Sequence, residues 1–476
     1  MIVRRIFKIL VSGFSLLVAI GLLIFVFGNW SDEALSPAAQ KLVAIPKPAV
    51  PDASNGYFVL LGIDAPTKED ALTAGRQLQA VRDREYAENP LRSDYSSPPE
   101  LFNDGAQWGK LRCPMQGENC IDRYLKNRQG FTDWMSGHEI LQTRYAQLNS
   151  LPGFEEAPFL SAHMLLPHYQ GMTQAGELRL ISAAYDMDGG NPAAGLEAIV
   201  GEIGVHRRLL ASSRMLISKM IFVAMLRRDY QVLSEAIEHW PALAKVQEPV
   251  LTGALRPLDL RETDMRQVFQ MENLFTAHVF LQALEANRGA DSSDDSNDEQ
   301  SGWWHKAMGN PMGRMSYLPN ATLNEVAPYW SRRVEAGYGS GATVESRKRD
   351  LAAFFAHWSS ELVGMPWNYL HNPAGKILIT TGEDPGLYMN YVERVHDLDG
   401  YIRLVTLQAA LRRRNIALDD VAAFVQQASP EMRNPYNGQA MRWDASTSSL
   451  LFEGEQGATA NSAGEKKIHR IKIRFS

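Results

Sequence analysis

The densest group of reactive side chains in the sequence is His396-Asp397-Leu398-Asp399. His396 and Asp399 stand three residues apart, so a helix carries both on one face. There they would serve as an acid/base pair, as two metal ligands or, more plainly, as a hydrogen-bonded structural pair. Other groups lack the spacing their chemistry needs. His163 and His168 are five apart with Pro167 between them, not the four of a helical zinc pair. His138-Glu139 is not followed by the second histidine of a metallopeptidase helix. Glu155-Glu156 offers one carboxylate of a glycosidase pair, with no partner marked out. No Gly-x-Ser-x-Gly elbow and no Walker loop occurs. Asp291 to Glu299 is acidic without a hydrophobe, which reads as a solvated loop. It lacks the ligand order and the glycine of an EF-hand. His206 falls on an apolar helical face and reads as a core histidine. Neither a metal nor a cofactor is expected from these residues.

Two further groups carry physical meaning. Lys466, Lys467, Arg470, Lys472 and Arg474 alternate in part with Ile471, Ile473 and Phe475, the pattern of a half-buried strand with one basic face. Such a face is either simply solvated or meets an acidic partner or phospholipid head groups. Cys113 and Cys120 are the only cysteines and flank Pro114 and Gly117. A redox pair prefers two intervening residues, and here there are six. A structural disulfide is expected, worth roughly 2.5 kcal/mol in the chain-entropy picture.

The elements that must position these residues are mainly helical. Lys68–Glu88, Ile121–Leu148 (with a possible break at Gly130), Arg347–Val363 and Leu387–Arg414 carry helical spacing. So does most of the stretch from Ser161 to Asn287. Asn191 and Pro192 mark a helix start. Tyr57–Gly62 and Lys376–Thr380 read as short strands or helix starts. The glycines of Gly337-Tyr338-Gly339-Ser340-Gly341 follow a helical pattern, whereas a phosphate cradle follows a strand, so they read as a linker. After Pro430 the period changes to that of strands, at Met441–Trp443, Ser449–Glu453 and Ile468–Phe475. A small antiparallel sheet is expected there.

The chain opens with Arg4, Arg5 and Lys8, then an uncharged run from Ile9 to Phe27 closed by Gly28, Asn29 and Trp30. At about 1.5 Å per residue the run spans roughly 28 Å, close to one hydrocarbon thickness. The run is longer than a signal-peptide core, so an uncleaved anchor is expected rather than a cleaved signal. The cations before it put the N-terminus in the cytoplasm. Ser31 to Asn55 holds Pro37, Pro46, Pro48 and Pro51 and reads as a semi-rigid spacer between bilayer and body. The expected organisation is an anchor at 1–30, a Pro-rich linker at 31–55 and a disulfide-bearing region at 56–160. A helical domain follows at 161–335, with an acidic loop at 290–301, and then helices plus sheet at 345–476. A net charge of −6 predicts no nucleic-acid partner.

The short-looped helix pairs between Ser161 and Asn287 resemble, in style only, the tetratricopeptide-like class of helical repeats. No 34-residue period accompanies them. The stretch from Leu398-Asp399-Gly400-Tyr401 through Asn434-Pro435-Tyr436-Asn437-Gly438 to Trp443 is similar to the helix-then-sheet tail of type II secretion pseudopilins. In those proteins anchor and tail are nearly continuous, whereas here Leu398 follows Gly28 by 370 residues. The whole chain resembles an uncharacterised family of single-pass bacterial envelope proteins. That resemblance implies a location in the inner membrane with a periplasmic body, and no activity. The resulting expectation is an interaction or scaffold protein, held at the bilayer through Ile9–Phe27 and bound to another envelope protein. The alternative is an exported hydrolase acting on cell-wall or carbohydrate substrate. A pocket with converging ionisable groups of shifted pKa favours the enzyme. An exposed apolar groove favours the interaction protein.

Overall fold

The apolar run folds as one helix, Ile2–Gly28. Its Ile9–Gly28 part has a mean hydropathy of 2.8 and none of it is buried, so it is long and apolar enough to cross a membrane. The computed structural model describes residues 2–88, 101–102, 108–109, 111–114, 119–157, 160–161, 164, 166–290, 316–455 and 468–474. Asp291 to Glu299, His163, Gly117, Lys466, Lys467 and Phe475 lie outside the described residues.

The segment after this helix is not an extended spacer. Asn29 donates to Phe25 O at 2.7 Å and to Leu370 O at 2.6 Å, and accepts from Asn372 N at 2.8 Å. The Asp32 carboxylate accepts from Asn320 N and Ala321 N, at the first turn of the Pro319–Ala336 helix. Anionic side chains suit that end of the helix dipole. Ser36 caps a short helix, Pro37–Val43, through Ala39 N. Ala39 is fully buried, and Leu35, Leu42 and Val43 pack on the core. Those apolar residues outweigh the extended bias of the prolines, because burying them is the larger free-energy term.

Tyr57–Gly62 resolves as helix: Gly56–Leu61 is wholly buried, with the Asn55 side chain accepting from Tyr57 N. The expected long helix from Ile121 divides into Cys120–Lys126, Arg128–Gly137 and Glu139–Ser150. The breaks fall at Asn127 and His138 rather than at Gly130. Both polar side chains turn back onto carbonyls of the preceding turn, Asn127 to Arg123 O and His138 to Trp134 O. Lys376–Thr380 lies within the Pro373–Gly382 helix.

In the centre, Tyr169–Asp188, Pro192–Ser212 and Leu216–His239 pack in succession. Asn191 takes the N-cap position, without a side-chain bond. The Leu216–His239 helix packs in turn on Pro385–Arg413. Arg266–Ala290 packs on Pro319–Ala336. One apolar cluster joins Tyr57, Leu178, Leu226, Trp330, Leu398 and Ile471.

The C-terminal sheet is antiparallel in the order β1 (Arg442–Asp444), β2 (Ser449–Glu453), β3 (Ile468–Lys472). It docks on the Pro385–Arg413 helix through Phe452. A Cβ at Gly400 would lie 2.1 Å from that ring, so only glycine admits the contact. The sheet thereby lies over the helix face that carries Asp397.

Candidate functional site

The Leu216–His239 helix, the Pro385–Arg413 helix and β3 enclose a cleft of about 750 Å³. Its floor is Arg227, whose guanidinium stacks 3.0 Å above the Tyr401 ring. Arg227 Nη2 donates to His469 Nδ1 at 3.3 Å. An arginine only donates, so His469 accepts at Nδ1 and carries its proton on Nε2, which faces Asp397 Oδ2 at 3.7 Å. Asp397 also accepts from Tyr436 Oη at 2.7 Å and from Glu455 N at 3.0 Å. Burial pushes the Asp397 carboxyl up, but the facing His469 and the bonds from Tyr436 and Glu455 N hold it below the usual carboxylate range. Gly454 backs it, where a Cβ would lie 2.3 Å from Oδ2. Arg227 Nη1 is buried and has no hydrogen-bond partner among the described residues.

The other two carboxylates of the cleft are also engaged. Glu235 Oε2 accepts from Cys120 N at 2.7 Å and Ile121 N at 3.0 Å, capping the Cys120–Lys126 helix. Its Oε1 accepts from Gln231 at 3.1 Å. Burial raises Glu235 to about 7 against those three bonds. Glu238 binds the Arg412 guanidinium, Gln408 Nε2 and Arg474 N. The cations at the mouth are different. Arg394, Arg470 and Lys472 are exposed, and none forms an ion pair among the described residues.

Among the described residues β3 is an edge strand, paired with β2 alone. Ile473 N donates to Ser448 O, toward the partner strand. Alternation then turns the backbone groups of Arg470 and Lys472 to the free edge. Arg474, of the same parity, donates its N–H to Glu238 of the Leu216–His239 helix, so this edge faces the cleft. The disulfide Cys113–Cys120, with Cα atoms 5.3 Å apart, sits beside it. Arg228 ties the ring to the same helix through Cys113 O and Pro114 O.

The sequence-expected cluster is thus divided. Asp397 joins Arg470, Lys472 and Arg474 in the cleft. His396 and Asp399 line a second recess of about 540 Å³, beside Leu258–Arg261 and Arg403. They form no pair with each other there. Asp399 accepts from Leu258 N at 2.7 Å and Arg403 Nε at 2.8 Å. His396 is buried, and burial lowers it to about 4, so it is neutral. Glu155 and Glu156 are structural: Glu155 accepts from Ala49 N and Val50 N and pairs with Arg214, and Glu156 accepts from Arg214 N. His206 is held between Asp229 at 2.6 Å and Tyr145 at 2.7 Å. His168 binds Asp64.

Arg227, Arg394, Glu235 and His469 were not singled out by the sequence, and Tyr401 only as part of the stretch similar to pseudopilin tails. The available signal was Arg227-Arg228-Asp229, a charged triplet directly after the apolar stretch ending at Leu226. An apolar groove of about 390 Å³ adjoins the cleft, sharing Met220 and Arg394 with it and adding Met215, Met271 and Phe275. No protein-family model, no curated protein and no solved structure matches the chain.

Proposed function

We propose that the chain is a single-pass protein of a bacterial inner membrane, with its N-terminus in the cytoplasm and its body in the periplasm. Its body holds an extended acidic segment of a partner protein in the cleft between β3 and the Leu216–His239 helix. One observation carries this reading. All three carboxylates of the cleft are spent on donors of the chain itself, while Arg394, Arg470 and Lys472 remain unpaired among the described residues. The field offered to a ligand is therefore positive in a chain whose net charge is −6. The free edge of β3 supplies backbone donors and acceptors for strand addition. Its cations repel a second copy of the same edge. The adjoining methionines suit apolar residues next to the acidic ones, since methionine adapts to varied partners. The cations ahead of Ile9 and the disulfide fit an anchored body in an oxidising compartment.

The test is a photo-crosslinker placed at Lys472 in native membranes, with mass spectrometry of the adduct. An adduct to an acidic segment of an envelope protein is expected. It should be lost in the double variant Arg470→Glu, Lys472→Glu and weakened by salt. Reversal at Arg261, which lies outside the cleft with its side chain 87% exposed, should leave it intact. An adduct indifferent to the charge reversal overturns the reading. The hydrolase alternative rests on Glu235, whose pKa of about 7 lies in the range of a general acid. Cleavage of cell-wall glycan that is abolished by Glu235→Gln would replace the binding reading with an enzymatic one.

A further inference from the structure

We propose that the body is seated on the bilayer through the 3-10 turn Pro366–Leu370, with Met365 and Trp367 embedded among the lipid head groups beside the anchor. The proposal rests on the reading that Ile9–Gly28 spans a membrane, and it adds a second lipid contact made by the folded body.

The argument begins at Asn29, the first residue beyond the apolar helix. Asn29 is 2% exposed and bonded on both sides, to Leu370 O and to Asn372 N. The depth of Leu370 is therefore fixed to within a residue of the end of the span. A 3-10 turn rises about 2 Å per residue, so Trp367 lies within about 6 Å of Leu370 along the turn. The head-group layer is about 5–7 Å thick on each side of the hydrocarbon. Trp367 thus has little room to stand clear of that layer. The turn cannot drift, because Lys376 Nζ donates to Asn368 O at 2.7 Å and His371 lies 3.6 Å from Glu33.

The chemistry of the segment agrees with its position. Gly364-Met365-Pro366-Trp367-Asn368-Tyr369-Leu370 carries no charge. Met365 is 52% exposed and Trp367 64% exposed, and Trp30, next to Asn29 in the chain, is likewise exposed. An indole has an apolar body and one N–H donor, which suits the membrane–water boundary better than bulk water. Left in water, the exposed Met365 and Trp367 would add apolar surface to a turn that packs against the end of the apolar helix.

The experiment uses the full chain in phosphatidylcholine vesicles, with its disulfide kept oxidised and one environment-sensitive fluorophore at a time. The labelled positions are Val18→Cys, Trp367→Cys and Glu345→Cys. Quenching is compared between lipid carrying a shallow nitroxide, lipid carrying a deep nitroxide, and aqueous iodide. The expected result is deep quenching at position 18, shallow-lipid quenching at 367 several-fold above that at 345, and iodide quenching at 345. A probe at 367 that behaves like the one at 345 while position 18 is quenched overturns the seat and leaves the anchor standing. Iodide quenching at position 18 overturns both. Met365→Cys, labelled in the same way, must repeat the result at 367.

Discussion

Folding changes the protonation of both His396 and Glu235, and their effects on stability have opposite signs. Burial lowers His396 from 6.5 to about 4. Between those values the unfolded chain binds the proton and the folded chain does not, so stability rises with pH across that window and is lost as pH falls. Burial raises Glu235 from 4.5 to about 7. There the folded chain binds the proton more tightly, so stability falls as pH rises through that window. The two partly cancel in weakly acid solution. Thermal unfolding of His396→Gln should separate them. Relative to the wild type, the variant should lose stability as pH climbs from about 4 to 6.5, with no further change above. A constant difference across that range would mean that the imidazole is not held neutral.

At the scale of elements, the sheet and the Pro385–Arg413 helix act as one unit because Gly400 lets Phe452 reach the helix backbone. Gly400→Ala should force that ring outward at a cost of about 1–3 kcal/mol. The displacement should be read as a lower unfolding midpoint in denaturant. It should also weaken Asp397, since Tyr436 stacks on Phe452 and donates to that carboxylate. Much of this layer was legible in advance. The alternation of Ile471 and Ile473 with Arg470, Lys472 and Arg474 appears in the burial of β3 and the residues after it. Leu398, Ile402 and Val405, at helical spacing in the Leu387–Arg414 stretch, are all core. The cleft itself was not legible, because its contacts join distant parts of the chain. Arg227 meets His469 across 242 positions, and Glu235 meets Cys120 across 115. Helical periodicity shows which face of a helix is apolar, not which strand will lie over a charged residue on it. Asn127 and His138 illustrate the same limit locally: both break a helix through side-chain bonds that leave no mark in the apolar spacing.

For the whole molecule, the decisive contacts are those that fasten residues 29–43 to the body. They were hidden by composition, since prolines speak for an extended chain and say nothing of where Ala39 or Leu42 will pack. A chain beginning at Gly56 loses the Asp32 bonds to the Pro319–Ala336 helix and uncovers the surface beneath Ala39 and Val43. It should be less stable than one beginning at Asn29 by about 2–4 kcal/mol. Parallel urea unfolding of the two forms checks this, and equal midpoints would show that the segment is an ornament on an independent body.

The same fastening decides where scissors belong. A protease site engineered at residue 55, where a domain map drawn from prolines would put it, would release a body with an open wound along one side. A cut at Gly28 instead leaves Asn29 its bonds to Leu370 O and Asn372 N, so the body keeps residues 29–43 as its cover and gives up only the bond from Asn29 to Phe25 O.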